Sequence, residues 1–314
     1  MVWSQGGRLR LDLGLGEGSP LDFLLEVISD VGESFDMRFL SIFCVLLCSS
    51  VFLTAEEFLL YEEKSRGVGT KWQMTNKTHS KDIRAEVFGV DEGSVVVRSE
   101  ALVEHLSEVE VLSEHRHIIT ILKNEMTSTM LDGDDRRESE VKNLGVLVGR
   151  KLEFEYRFSQ WNFRPSKEQW SEAELARIAD IIDVMNSERR IYGGGKRKVG
   201  QSWRISASDW MSGAMDWKNL DGDVKVHFLE VVKHEGRRCA LLKIVGDVEG
   251  TTIEEGENVV SIKGEVHIYR DLELLIDVSE KADLKWSCKS STDEGVVQID
   301  FNYMSNSKAV QVTP

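Results

Sequence analysis

Residues 37–55, MRFLSIFCVLLCSSVFLTA, constrain this chain more than any other stretch. A methionine and one positive charge, Arg38, precede fifteen residues, 39–53, that carry no charge. Thr54-Ala55 close the run in front of the acidic pair Glu56-Glu57. A short basic start, an apolar run of that length and a small residue at its end are the parts of a secretory signal peptide. The chain is therefore expected to divide into an upstream stretch 1–36, a signal peptide 37–55 cleaved after Ala55, and an exported body. The alternative is an uncleaved helix over 39–55 that anchors the same body to a membrane, still outside the cytoplasm. The run sits at the short edge of the ~20 apolar residues that span a bilayer.

Residues 1–36 show no sustained helical or strand period and place acids just ahead of the signal. Export signals act at the extreme N-terminus. The expectation is an upstream extension without ordered structure, read from a start codon placed too early, with Met37 as the native first residue. The competing reading is a cytoplasmic tail before a membrane anchor.

The chain has a formal charge of −15, and the three Arg and seven Asp and Glu of residues 1–55 leave −11 for the body. An acidic body lacks the basic footprint that phosphate backbones demand, which excludes nucleic acid as a partner. Anionic membrane surfaces are disfavoured for the same reason, so membrane contact is expected only through the signal segment if it stays uncleaved. Cys44 and Cys48 leave with the signal, and Cys239 and Cys288 remain. That pair can close a loop of about 50 residues, a bridge worth ~4 kcal/mol in an oxidising compartment. The other state open to it is two buried free thiols.

Along the body, residues 68–75 read as a strand, and 83–90 with 94–103 as a hairpin turning at Asp91-Glu92-Gly93. Residues 108–113 and 117–126 continue the β pattern. The charged run 132–140, DGDDRRESE, reads as a solvated loop. Leu152, Phe154, Tyr156 and Phe158 then alternate as a strand. One helix is expected over 167–187: Ser166…Gln169 and Ser171…Glu174 both have capping-box spacing. Trp170, Leu175, Ile178, Ile181, Ile182 and Met185 would form its apolar face. Gly193-Gly194-Gly195 reads as a linker, since it lacks the spacing of a phosphate loop.

The pattern V-G-x-x-W-x-[MI]-[TS] occurs twice, at 68–75 and 199–206. It suggests an internal duplication, with chance and ordinary hairpin chemistry as the alternative. A hairpin follows over 223–233 and 237–245. After it comes a meander over 260–268, 272–278, 282–288 and 297–303, each strand with one apolar and one polar face.

Chemical motifs are sparse. Glu114-His115-Arg116-His117 offers two histidines on one strand face, but two ligands do not make a metal site, so a solvated strand edge is expected. Asp132, Asp134 and Asp135 resemble half of a calcium loop without its later glycine and glutamate. There is no G-x-S-x-G, H-E-x-x-H or C-x-x-C. No catalytic residue, cofactor or metal ligand is assigned. Glu153 and Glu155, on one strand face, are the nearest approach to a hydrolase pair, and an envelope-associated hydrolase is the rival to a binding or structural protein.

The V-G-x-S-W of residues 199–203, the G-x-x-C-A of 236–240 and the terminal meander together resemble a family of exported bacterial β-rich proteins with no assigned activity. The resemblance covers roughly residues 67–305. It implies a secreted β-rich fold and carries over no catalytic residue. By order of elements the chain is also similar to the periplasmic lipoprotein carriers, in which a strongly curved antiparallel sheet folds over a helix and shelters acyl chains.

The fold class expected is α+β, mostly antiparallel β. Two β-meander halves, 56–165 and 193–314, flank a helix and linker at 166–192. The function expected is that of an exported, periplasmic or secreted, non-enzymatic binding or structural protein. Its partner would be a lipid or another hydrophobic ligand in a groove lined by Trp72, Trp203, Trp286, Trp170, Ile178 and Ile182.

Overall fold

The computed structural model describes residues 56–89, 94–132, 135–166, 169–211, 217–252, 257–292 and 295–312. The signal segment and the stretch before it lie outside these residues.

Turns built on one dipeptide start three of the strands. Val68-Gly69, Val148-Gly149 and Val199-Gly200 each fill the centre of a four-residue turn closed by Thr70 N–H to Gly67 C=O, Arg150 to Leu147 and Gln201 to Lys198. The glycines have φ of 83°, 83° and 84°, the left-handed value that the second central residue of a type II turn requires. Each glycine N–H then donates to a neighbouring strand, at Val111, Ile121 and Phe228 respectively. The twofold motif seen in the sequence is thus a threefold turn. Its first copy opens a long central strand and its last opens a four-residue edge strand, so the copies sit in different settings.

The described residues are mostly antiparallel β, with two helices among them. β1 (Glu57–Leu59) pairs with β8 (Lys196–Lys198) as a separate two-stranded ribbon. β2 (Lys71–Gly89), β3 (Ser94–Ser113), β4 (Arg116–Asp132), β6 (Lys151–Arg157) and β7 (Gln160–Arg164) form one meander, with β5 (Asp135–Asn143) as a branch on β4. β9 (Ser202–Ile205), β10 (Trp217–His234), β11 (Arg237–Thr252), β12 (Glu257–Asp271), β13 (Asp277–Thr292) and β14 (Gly295–Val312) form the other. β14 zips along the whole of β2, from Lys71↔Val312 to Gly89↔Gly295, and makes the two meanders one open sheet.

Helix α1 (Glu172–Tyr192) uses the second of the two candidate caps. The Ser171 hydroxyl accepts from Glu174 N–H, and the Glu174 carboxylate accepts from Ser171 N–H. Gly193, at φ 71°, ends the helix and returns its N–H to the Arg189 carbonyl. Ile178 is buried and Ile181, Ile182 and Met185 pack beside it, whereas Leu175, expected on the same face, is 46% exposed. Burying a side chain of that size contributes about 1.5–3 kcal/mol.

α1 packs on β7 at one end of the row of strands and on α2 (Ala207–Trp210), which lies against β10 near the other. Eleven strands laid flat would span roughly 48 Å. A 21-residue helix is about 31 Å long. One helix reaches both ends only because the sheet curls over it. Two buried clusters result. Ile121, Leu147, Leu152, Phe154, Trp161 and Ile178 form one, between β4, β6 and α1. The larger joins β10–β13 to Phe58, Leu60, Tyr61 and Tyr192. Gly246 lies in its floor, where a Cβ would stand 2.3 Å from the Trp210 ring. Only glycine lets the indole lie there.

The fold departs from several of these expectations. The charged run after 132 is largely strand: β5 pairs with β4 from Asp132↔Asp135 to Glu125↔Asn143. A charge-rich strand on an open edge discourages pairing with other chains. Residues 272–276 are not strand but the turn between β12 and β13, held by Asp271 Oδ1 accepting from Glu273 and Leu274 N–H. β2 and β3 are single strands of 19 and 20 residues rather than short pieces.

The bridge between Cys239 and Cys288 does not form; both are free thiols. Cys239 sits opposite Asp271 and Cys288 opposite Val260, at far-apart points of the intervening β12. Eleven residues of strand separate those partners, roughly 36 Å, against the few ångströms a disulfide spans.

Candidate functional site

The two faces of the sheet differ in chemistry. On the face away from α1, ion pairs cross the strands: Lys77 and Lys123 share Glu104, Lys71 meets Glu108, Lys243 meets Glu265 and Lys263 meets Asp247. Charged pairs of this kind keep a face wet and add little stability. The two lysines hold the Glu104 carboxyl well below the ordinary carboxylate range, at about 2.

The face that carries α1 is apolar in rows. Strand register aligns Phe301, Trp286, Ile262 and Val248 across four strands, with Gly222 beyond them on β10. The next row towards the hairpin tips is Val97, Ala85, Ile299, Cys288 and Val260, with Gly250 beyond them. Val97, Ala85, Ile299, Phe301, Trp286 and Cys288 are only half-buried, although they share a face with the core. Trp286 stacks on Phe301 with ring centres 5.6 Å apart.

One row on this face is different. Asn124, His105, Asn76, Ser307 and Glu280 are direct cross-strand neighbours on β4, β3, β2, β14 and β13. Past Glu280 the row continues as Ile268, Leu242 and Phe228, so the polar part ends against the core. Asn76 Oδ1 accepts from the Ser305 hydroxyl at 2.9 Å. Burial lowers the pKa of His105, which favours the neutral imidazole. Burial, helped by the charge of Asp277, pushes the Glu280 carboxyl up to about 7.

A buried charge network closes the foot of this face. Arg270 is 1% exposed and donates to the Leu60 carbonyl at 2.6 Å, to Asp277 at 2.7 Å and to Glu188 at 3.1 Å. Its guanidinium lies 3.9 Å from the centre of the Tyr192 ring.

The residues expected to line a groove are distributed between these settings. Trp72 is buried, donates to Thr70 Oγ1 at 3.0 Å and lies under Arg237. Trp203 donates to the Ile191 carbonyl at 2.7 Å and pins the end of α1. Trp170 packs edge-on against Phe163 beneath Arg150, and Ile178 is core. Ile182 borders a shallow depression of about 480 Å³ along α1, with Gln160, Asn186 and Arg189 around it. Trp286 alone of the six stands among the half-buried apolar rows. Sequence pattern does not single out Glu280, His105 and Asn76, because polar residues in a strand read as solvent-facing until register reveals the face.

The other motifs have structural partners. His117 is not on a solvated edge: it meets the Ser65 hydroxyl at 2.6 Å and packs at a tilt against Trp161 with ring centres 4.5 Å apart, and burial lowers its pKa to about 4. Glu153 is held by Arg116 and Arg164, and Glu155 by Arg157. The side chains of Asp132, Asp134 and Asp135 lie outside the described residues. Among the described residues no group of three metal-ligating side chains converges, and no helix is long and apolar enough to cross a membrane.

These features define a class of protein: one open antiparallel sheet curled over a helix, ion-paired on one face and apolar on the other. No family model matches the chain, and no curated protein matches it in sequence. Similar solved structures include one describing lipid–protein interactions in lipovitellin, at 11% identity and a TM-score of 0.42, covering 79% of this chain. The match spans about a quarter of that chain (25%). A LolA-superfamily protein from Nitrosomonas europaea matches at 9% identity and a TM-score of 0.15, covering 80% of this chain and 91% of the other. An outer membrane channel from Pseudomonas putida F1 matches at 8% and 0.22, covering 79% and 98%.

Proposed function

We propose that residues 56–314 form an extracytoplasmic, non-enzymatic binding protein that shelters the apolar chain of a lipid or similar amphiphile on the helix-bearing face of its sheet. Residues 37–55 serve as its export signal. One observation carries the reading. Half-buried apolar rows through Trp286 and Ile299 share a face with the core, while the opposite face is laced with ion pairs. Leaving such side chains partly in water costs about 25 cal/mol for each Å² of apolar surface that a ligand could cover. Rows of this kind are what an acyl chain would occupy.

Native mass spectrometry of the protein purified from its own cell envelope tests this. The expected spectrum shows a polypeptide beginning at Glu56 with a bound species of lipid mass. Ile299→Glu, which places a charge in the middle of the apolar row, should abolish the adduct. A clean apo mass from the envelope would overturn the reading.

A further inference from the structure

We infer that the row Asn124–His105–Asn76–Ser307–Glu280 seats the head group of the bound amphiphile, and that Glu280 selects a cationic amine head over an anionic one. The inference rests on the binding face proposed above and names its ligand class.

Geometry comes first. Cross-strand neighbours lie ~5 Å apart, so the five residues form a continuous polar line between apolar regions. From Glu280 the apolar rows extend along β13 to Cys288, roughly 26 Å of strand. A head group on the polar line leaves its chain lying along those rows.

Charge decides which head. Glu280 has neither an ion-pair nor a hydrogen-bond partner among the described residues. On β12, Arg270 is committed to Leu60, Asp277 and Glu188. On α1, Glu188 and Tyr192 face the same network. On β3, His105 is kept neutral by burial. On β14, Lys308 turns to Glu235. Among the described residues, the carboxylates of Asp277 and Glu280 therefore stand near one cation, Arg270, whose third partner Glu188 is pushed towards its neutral form by burial. The excess negative charge, next to apolar surface, complements an ammonium and repels a carboxylate or phosphate. An ammonium brings three donors, enough for the Glu280 carboxylate and for Ser307 beside it. Charge-assisted bonds of this kind are about twice as strong as neutral ones.

Calorimetric titration of the delipidated protein with dodecylamine, dodecanol and dodecanoate tests this, each below its micelle concentration at about pH 8. Dodecylamine should bind about tenfold or more tightly than dodecanol, with dodecanoate weakest. Lowering the pH to about 6 should remove most of that preference, because Glu280 becomes protonated while the amine stays charged. Glu280→Gln should bring amine and alcohol to equal affinity, and Glu280→Asp should keep the preference. Equal binding of amine and alcohol to the unaltered protein, or an undiminished preference in Glu280→Gln, overturns this inference and leaves the binding face standing. Failure of all three probes to bind overturns both.

Discussion

The Tyr192 hydroxyl, in the last turn of α1, donates to Oδ2 of Asp277, the first residue of β13, at 2.7 Å. The other carboxylate oxygen accepts from Arg270, so one aspartate ties the helix to two strands. Burial keeps the tyrosine protonated far above its ordinary range.

Removing parts of this network should cost unequal amounts. Tyr192→Phe deletes one hydrogen bond and leaves Asp277 its arginine, so a loss of about 1–3 kcal/mol is expected. Arg270→Ala strands the Asp277 charge in the interior and should cost about 3–5 kcal/mol. Urea denaturation with a constant slope against denaturant will measure both. Equal losses would show that the arginine is not the centre of the network.

Gly246 makes room for the Trp210 ring. Gly246→Ala should therefore displace the indole and destabilise the protein by about 1–3 kcal/mol, with a red-shifted tryptophan emission. Gly69→Ala meets no atom, but its φ of 83° is strained for alanine, so it should lose stability without that spectral change.

His117 gives stability a pH dependence. Its folded pKa, about 4, lies below the ordinary 6.5, so the unfolded chain takes up the proton first. Stability should be full above about pH 6.5 and fall with pH towards 4, at up to about 1.4 kcal/mol per unit. Denaturation midpoints compared at several pH values in the unaltered protein and in His117→Gln will read this. A slope that survives the substitution would assign it elsewhere.

The two thiols should behave independently. Burial raises both pKa values, Cys239 to about 11, so neither should react readily in the folded state at neutral pH. In denaturant, both should titrate with a thiol reagent without prior reduction. A reductant should leave the melting temperature unchanged, whereas a lowered one would reinstate the bridge.

Legibility followed solvation. The alternation in β12, and in β13 from Ala282 to Cys288, was plain in the sequence because one face there is core and the other water. β2 was not, because residues 75–82, TNKTHSKD, interrupt that alternation, although 75–80 pair on both sides with β3 and β14. Backbone pairing carries a strand through a polar stretch that composition alone assigns to a loop. The capping spacing found two possible helix starts. The choice of Ser171 came from Arg150, which grips the Glu174 carboxylate.

From the sequence alone came the apolar segment ahead of the body, the predominance of β structure, the helix of residues 172–192 and the acidic surface. These depend on local chemistry: the length of an uncharged run, a period of two or of 3.6, and a sum of charges. Three features required the folded chain: the zipper of β14 along β2, the separation of Cys239 from Cys288, and the meeting of Asn76, His105 and Glu280 in one row. Each joins residues far apart in the chain through strand register. A shift of one residue in that register would send every one of these side chains to the opposite face.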